Sequence, residues 1–311
     1  MKILIWHVHG SWTTAFVQGG HEYLVPVVPD RGPDGRGRAE TWQWPSSVRE
    51  VTPAQLANEE IDVVILQRRV ELERLAETWL RRRPGRDVPA VCLEHNAPQG
   101  PINEMRHWAA DRPELTIVHV THFNDLFWDT GTTPTRVIEH GIVDPGYRYT
   151  GALPRAAVVI NEAARRGRVT GTDLLGRFGE AVPLDLFGID AARLGGHENP
   201  PQDALHSAMA QRRVYLHPVR WTSLGLSLLE AMHLGMPVVA LATTEAPDAV
   251  PPEAGVVSTR VDVLVAALRR LVDDPEHARA MGKAARESAL ARYGLPRFLA
   301  DWDRVLAEVA P

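Results

Sequence analysis

A glycine and a glutamate near the start of one apolar helix pattern have the spacing of a binding site for a phosphorylated sugar. The apolar run at residues 214–216 leads into a polar loop, and apolar residues then recur at helical spacing from Leu226 to Leu234. Gly225 has no Cβ, so a ligand can approach the backbone, and the N–H groups of the first helical turn favour an anion such as a diphosphate. The carboxylate of Glu230 can accept hydrogen bonds from vicinal sugar hydroxyls. These features form half of a nucleotide-sugar site.

The elements that hold this pair are predicted to be a strand, a helix and a second strand. Gly235 and Pro237 end the helix pattern, and residues 238–241 form a short apolar run typical of a strand buried in a parallel sheet. Residues 212–241 are therefore predicted to form a βαβ unit. On spacing alone, the simpler explanation is an ordinary unit of this kind, with a glycine for close packing and a solvated Glu230.

A longer sequence pattern favours the binding site. Residues 225–232 (GLSLLEAM) and 235–240 (GMPVVA) closely resemble the donor-site signature of family 4 glycosyltransferases, and residues 187–189, 247–250 and 255–257 resemble flanking segments of the same family. The resemblance covers most of the second half of the chain. It implies the GT-B fold, which has two Rossmann-like parallel-sheet domains facing a cleft. It also implies a retaining transfer of sugar from a nucleotide-sugar donor to a hydroxyl acceptor.

Two positions depart from the family pattern. Thr222 stands where the family has the first of two glutamates, and Thr170 replaces the lysine that helps to hold the donor diphosphate. Nearby arginines can supply the missing charge, because a guanidinium fork suits phosphate oxygens. The residues expected to bind the donor are therefore Gly225, Leu226, Glu230, Thr222, Arg165, Arg166 and Arg168. The departures also leave an alternative open, a GT-B protein that binds a nucleotide or glycan without catalysis.

Polar residues follow the apolar runs of the first half. Runs at residues 61–66, 88–93 and 115–120 alternate with helix-prone segments, which predicts a parallel sheet with its ligand site at the carboxyl ends of the strands. Polar side chains stand at two of these ends, namely His95, Asn96 and His122, and His9 and Gly10 follow the first apolar run, at residues 3–6.

His95 is the catalytic candidate of this group. A histidine at a strand end can hydrogen-bond a sugar hydroxyl or exchange a proton, and it can equally satisfy local backbone groups. The resemblance implies that His95 and Asn96 lie next to the acceptor, and that His9 and Gly10 lie at the cleft. We include His122, which follows the next apolar run, in the same expected acceptor and cleft region.

Chain length and charge limit the other possibilities. A chain of 311 residues with 44% hydrophobic residues suits two domains, and we expect them at residues 1–150 and 151–292. Residues 293–311 are expected to form a helix that returns to the first domain. The net charge of −5 gives no sign of a nucleic-acid or lipid surface, and no segment resembles a membrane span. The single cysteine, Cys92, favours a reducing cytoplasm.

Two metal-dependent chemistries have weaker support. His7 and His9 place two imidazoles on one face of a strand end, as in metal-dependent hydrolases, with His119 or His122 as further candidates. That architecture needs a barrel of about eight strand-helix units. Residues 301–303 (DWD) imitate a metal-binding Asp-x-Asp, but they lie in an amphipathic helix pattern and are expected to be a solvated face. We therefore expect no metal and no cofactor, the nucleotide-sugar being a substrate.

Overall fold

The computed structural model describes residues 1–310, which divide into two compact units. The first contains residues 1–143 together with the chain from Leu295 onward, and the second runs from Asp144 to Gly294. The sequence-based boundaries, after residues 150 and 292, lie a few residues away from these junctions. None of the helices within residues 1–310 has both the length and the apolar character needed to cross a membrane.

The first unit is built on a parallel sheet of seven strands. In chain order they are β1 (Lys2–Ile5), β2 (Glu22–Pro26), β3 (Val48–Val51), β4 (Val63–Leu66), β5 (Ala90–Glu94), β6 (Thr116–His119) and β7 (Thr135–Val137). In space the order is β3-β2-β1-β4-β5-β6-β7. β1 is an interior strand, with Ile3 paired to Tyr23 of β2 and to Val63 of β4. The strand order reverses between β1 and β4, and in open parallel sheets ligands bind at the carboxyl ends beside such a reversal.

The helices that follow these strands are short. They are α1 (Gly10–Phe16), α2 (Pro53–Leu56), α3 (Ala76–Leu80) and α4 (His122–Phe127), with a π-helical turn at Glu71–Leu75 and a 3-10 turn at Ile102–Glu104. Residues 71–83 are helix-prone in the sequence, but the helical segment ends at Leu80 because Arg81 adopts a left-handed conformation with φ of 55°. α2 begins with a capping box between Thr52 and Gln55.

The second unit is built on a six-stranded parallel sheet. Its strands are β8 (Leu153–Val159), β9 (Leu184–Gly188), β10 (His197–Glu198), β11 (Arg212–His217), β12 (Val238–Leu241) and β13 (Gly255–Ser258). Their spatial order is β10-β9-β8-β11-β12-β13, so the order reverses between β8 and β11. The predicted βαβ unit at residues 212–241 is confirmed, since β11 and β12 pair in parallel with Tyr215 opposite Val238.

Helices and turns connect the strands of the second sheet. The helices are α5 (Ala163–Arg166), α6 (Leu175–Gly179), α7 (Gln202–Gln211), α8 (Leu226–Leu234), α9 (Ala246–Ala249), α10 (Val261–Asp273) and α11 (Pro275–Tyr293). Short 3-10 turns span Gly167–Thr170, Thr172–Leu174 and Ala191–Leu194. α8 is buried along most of its length, and only its first two residues are half-buried. The start of α8 is therefore the part of this helix that a ligand can reach.

The last helix, α12 (Leu295–Val309), belongs to the first unit. Its buried residues Phe298 and Trp302 form an aromatic cluster with α1. The Trp302 ring centroid lies 5.6 Å from that of Trp12 and 5.0 Å from that of Phe16. Gly141 is tightly packed here, because a Cβ on it would lie 2.3 Å from the Cβ of Phe298.

Two features of the fold bear on the metal-dependent alternatives. The two open parallel sheets exclude the closed barrel that the hydrolase alternative requires. In the Asp-x-Asp-like segment of α12, Asp301 accepts a hydrogen bond from Arg297 at 2.9 Å and Asp303 lies 2.9 Å from His21 Nε2. Both carboxylates therefore lie on a helix and contact basic side chains, whereas the metal-binding motif needs a loop after a strand.

Candidate functional site

Two loops of the second unit meet at the carboxyl edge of its sheet, beside the reversal between β8 and β11. Gly171 approaches Pro218 so closely that a Cβ on residue 171 would lie 1.9 Å from the Pro218 carbonyl oxygen, and its φ is +73°. The backbone N–H groups of Arg220 and Trp221 both donate to the Val169 carbonyl, at 2.9 and 3.1 Å. The loop that follows β8 and the loop that leads into α8 are therefore joined through their backbones.

The residue before α8 is Gly225, which has no side chain that could cap the helix. It is the N-cap residue, with φ of −71° and ψ of 120°, and no side chain accepts a hydrogen bond from the first turn of the helix. The first N–H groups of a helix have no partner within it, so they remain suited to an anion. The ring of His217, which ends β11, fills the space beside Gly225, because a Cβ there would lie 2.4 Å from His217 Cε1.

The three arginines predicted to replace the family's phosphate clamp differ in their partners. Arg165 is exposed and pairs with Glu162, with Nε to Oε1 at 2.9 Å. Arg168 is also exposed and pairs with Asp173 at 3.1 Å. Arg166 is half-buried, and its guanidinium makes no hydrogen bond or salt bridge with any residue that the structure describes. Burial lowers the pKa of Arg166. Of these three arginines, Arg166 is thus the one whose charge is not paired with a carboxylate.

Arg220 is a further arginine of this site that the sequence did not single out. Its Nη1 donates to the Arg168 carbonyl at 2.9 Å and its Nη2 to Asp173 Oδ2 at 3.0 Å. It therefore holds the two loops together through the same carboxylate that pairs with Arg168. Thr170, which stands where the family has lysine, is buried, and its hydroxyl bonds the Gly167 carbonyl at 3.3 Å. Its side chain stabilises its own turn.

Glu230 is buried, so the simpler explanation of a solvated glutamate is wrong. Its side chain is on α8, the residue is 5% exposed, and Oε2 lies 3.5 Å from Nε2 of His206 on α7. Gln202 in turn lies 2.7 Å from the same histidine nitrogen. Thr222 and Leu226, the other two expected donor residues, are half-buried at the end of the loop and the start of the helix.

The loops that follow β8 and β9 contain strained backbone positions. Glu162, after β8, has φ of 54°, and Asp190, after β9, has φ of 61°, both unusual for residues other than glycine. The two strand ends are also bonded to each other. Ile189 N–H donates to Asn161 Oδ1 at 3.0 Å, and Glu162 N–H donates to the Ile189 carbonyl at 2.7 Å. Strained residues held in this way are concentrated at binding sites.

In the first unit the structure brings His9 and His95 together. Their ring centroids are 4.0 Å apart, at the carboxyl ends of β1 and β5. His95 Nε2 lies 3.1 Å from Gln67 Oε1, and Gln67 Nε2 donates to the Trp6 carbonyl at 2.6 Å. Because this amide orientation makes Gln67 Oε1 the acceptor, His95 Nε2 carries the hydrogen and Nδ1 of the neutral ring has a lone pair. Gln67 thus holds His95 in one tautomer.

His140, which follows β7, is a third histidine of this cluster. Its ring stacks on His95 at 6.3 Å between centroids, and neither of its ring nitrogens has a hydrogen-bond partner within residues 1–310. Burial lowers the pKa of His9 to about 4 and of His140 to about 3, and it holds the pKa of His95 well below its usual range. All three rings are therefore neutral at neutral pH.

The loop after β5 is held by a buried carboxylate. Glu94 Oε1 accepts the Asn96 N–H at 2.6 Å, and Oε2 lies 3.1 Å from His107 Nε2. Because His107 Nδ1 accepts the Ala109 N–H at 3.0 Å, its Nε2 carries the hydrogen that Glu94 accepts. Glu94 thus fixes the backbone that follows His95.

The remaining residues of the expected acceptor region differ in exposure. Asn96 is exposed, and Gly10 is the first residue of α1, where a Cβ would lie 3.1 Å from Trp42 Nε1. His122 is exposed at the first residue of α4, which follows β6, the strand next to β5. The close ring pair thus comprises His9 and His95, and His122 lies one strand further along the sheet.

Comparisons with known proteins agree with this architecture. Residues 193–288, a segment that includes Gly225 and Glu230, match the family model described as glycosyl transferases group 1. No curated protein matches the sequence.

Solved structures share the fold over almost the whole chain. Sucrose-phosphate synthase from Thermosynechococcus elongatus is 14% identical, with a TM-score of 0.75, covering 99% of this chain and 98% of that one. HepE of Anabaena, solved with UDP and glucose, is 15% identical, with a TM-score of 0.72 and 99% coverage of both chains. A glycosyltransferase from Rickettsia africae is 11% identical, with a TM-score of 0.62 and coverage of 99% and 98%. The chain therefore has the GT-B fold of these structures, and residues 193–288 of its second unit match the glycosyl transferases group 1 model.

Proposed function

We propose that this protein transfers a sugar from a nucleotide-sugar donor to a hydroxyl acceptor, with retention at the anomeric carbon. The observation that carries the proposal is the pair of joined loops in the second unit. One contains Arg166, a half-buried guanidinium without a described ionic partner, and the other leads into the uncapped start of α8 at Gly225. A diphosphate satisfies both, because it is an anion with oxygens for a guanidinium fork and for helix N–H groups.

The sugar nucleotide would bind with its ribose at Glu230. A carboxylate accepts two hydrogen bonds from vicinal hydroxyls, and Glu230 lies on the second turn of the helix whose first turn would hold the diphosphate. His206, at 3.5 Å, can keep that carboxylate oriented. Thr222 would take part only through its hydroxyl, since it has no charge.

The reaction would depend on charge neutralisation and positioning. The bond between the anomeric carbon and the diphosphate oxygen breaks, and a bond from that carbon to the acceptor oxygen forms on the same face. The acceptor proton passes to the leaving diphosphate. Arg166 and the helix N–H groups stabilise the charge that develops on the leaving group, so we expect no metal requirement.

The acceptor would bind at the carboxyl ends of β1 and β5 in the first unit. The ring of His95 would contact the acceptor hydroxyl, while His9, Gly10 and Asn96 would line the site. Because the His95 ring is neutral, it can orient a hydroxyl without repelling a positively charged transition state. The buried Cys92 fits a reducing compartment, so we place the protein in the cytoplasm.

The donor is proposed to be a UDP-sugar, because HepE of Anabaena has been solved with UDP and with UDP-glucose. Calorimetric titration of metal-stripped protein with UDP, GDP, ADP and TDP, each beside its nucleoside, tests this. We expect UDP to bind and uridine to bind much more weakly. Absence of binding by all four diphosphates would refute a working donor site.

A second test separates the enzyme from a binding protein that does not catalyse transfer. The loss of the family's glutamate at Thr222 motivates that alternative. Purified protein with the sugar nucleotide that matches the preferred diphosphate should release the diphosphate in the presence of a mixture of sugar acceptors. Tight binding without release across acceptors would favour the alternative.

A further inference from the structure

His217 is a buried polar residue next to the start of α8. It is the last residue of β11, it is 4% exposed, and the loop that leads to Gly225 begins immediately after it. The edge of the ring that contains both nitrogens faces Gly225. A Cβ on residue 225 would lie 2.4 Å from His217 Cε1, 3.1 Å from Nε2 and 3.5 Å from Nδ1. Because residue 225 is glycine, no side chain lies between this edge and the helix start.

One nitrogen of this ring has no partner. His217 Nδ1 is buried and forms no hydrogen bond with any of residues 1–310. Burial is the cause that lowers the pKa of His217 to about 4, so the ring is neutral and offers one N–H donor and one lone pair. A buried polar atom without a partner in the protein usually bonds a ligand or a water.

We propose that His217 is a donor-binding residue that hydrogen-bonds the diphosphate held at the N-terminus of α8. The uncapped helix start and the unpartnered imidazole are independent features that meet at Gly225, and both suit a phosphate oxygen. The inference rests on the proposed function and adds a residue to its donor site. It also explains why residue 225 is glycine, since a side chain would displace the ring and cover the site.

The direct test is a spectrum of the histidine ring nitrogens. Protein labelled with ¹⁵N is titrated with UDP and, separately, with uridine, and the His217 signals are assigned by correlation to its own backbone, which needs no variant. We expect the ring nitrogens of His217 to shift with UDP and to stay in place with uridine. If UDP saturates the protein and these signals do not move, the inference is overturned.

A binding measurement gives a second readout. His217→Asn keeps a polar atom near the position of Nδ1, and His217→Gln keeps one near Nε2. We expect at least one of them to weaken UDP binding about tenfold or more, with a smaller effect on uridine, because a hydrogen bond to a charged group is lost. The matched control is His233→Asn, which alters a buried histidine on α8 that is bonded through Nδ1 to the Leu229 carbonyl. It should leave UDP affinity within about twofold.

The outcomes separate this inference from the proposed function. If the unmodified protein binds no nucleoside diphosphate, the proposed function fails. If it binds UDP and both His217 variants, folded by circular dichroism, retain that affinity, His217 has no role in binding and the inference fails. If neither variant folds, the nitrogen spectrum of the unmodified protein decides.

Discussion

The imidazole of His217 occupies the space that a side chain at residue 225 would need. Gly225→Ala should therefore destabilise the second unit, because the new methyl group would lie 2.4 Å from a buried ring atom that is not at the end of a flexible chain. Overpacking of this kind costs about 1–3 kcal/mol. Urea denaturation followed by tryptophan fluorescence measures the loss.

A double variant shows whether the ring is the cause. His217→Ala removes the imidazole, so Gly225→Ala in that background should be much less destabilising than in the unmodified protein. Coupling between residues in contact is typically about 0.5–3 kcal/mol. Additive effects of the two substitutions would mean that residue 225 must be glycine for another reason.

Arg166 should contribute more to diphosphate binding than its two neighbours. Arg166→Ala is expected to weaken binding of a nucleoside diphosphate by about 1.5–3 kcal/mol and binding of the nucleoside much less, because the lost hydrogen bonds are to a charged group. Calorimetry on both ligands measures the difference. Arg165→Ala and Arg168→Ala are matched controls, since those side chains pair with Glu162 and Asp173. Equal losses for the diphosphate and the nucleoside would exclude a phosphate contact by Arg166.

Glu230 should discriminate between a ribose and a deoxyribose. Glu230→Ala is expected to weaken UDP binding by about 1.5–3 kcal/mol, the range for hydrogen bonds to a charged acceptor. The unmodified protein should bind 2′-deoxy-UDP more weakly than UDP, and the variant should lose that preference. If the preference is the same in both proteins, Glu230 does not contact the ribose, and its burial beside His206 is structural.

Glu94 should stabilise the loop that contains His95 and Asn96. In Glu94→Ala, the Asn96 N–H and the His107 Nε2–H both lose their acceptor, and leaving the buried His107 donor unpaired costs about 1–3 kcal/mol. We expect a matching fall in the free energy of unfolding of the first unit. The exposed Glu104→Ala should change it by less than about 0.5 kcal/mol.

Acid should destabilise the fold through its buried histidines. Burial lowers the pKa of His9, His119 and His217 to about 4 and of His140 to about 3, against an ordinary value of 6.5. Because the unfolded chain binds protons first, the stabilisation is complete above pH 6.5. It is lost as the pH falls from 6.5 towards about 4, at up to about 1.4 kcal/mol per pH unit for each histidine.

The urea midpoint measured between pH 7.5 and pH 5 checks this expectation. It should fall with decreasing pH, and His140→Asn should make the fall shallower, because asparagine does not titrate. A urea midpoint that stays constant down to pH 5 would show that these rings titrate in the folded protein as they do in the unfolded chain.

The sequence was sufficient for the architecture of both units. Apolar runs that alternate with helical patterns specify parallel sheets, because a strand buried on both faces needs a continuous apolar run. The βαβ unit with Gly225 and Glu230 was predicted from two apolar runs around a helical pattern, and the helix around Phe298 and Trp302 from its amphipathic pattern. Residues at strand ends were also predictable, since the carboxyl ends of parallel strands meet at one edge.

Only the tertiary structure decided which side chains have partners. Arg165, Arg166 and Arg168 are equivalent in the sequence, yet only the folded chain shows that carboxylates pair with two of them. The contacts of His9 with His95 and of Glu230 with His206 join residues far apart in the chain. Spacing along a helix or strand determines which face a residue occupies, but the partner on the opposing element depends on how the elements pack. For that reason the fold could be derived from local patterns, whereas the electrostatics of the site required the packed structure.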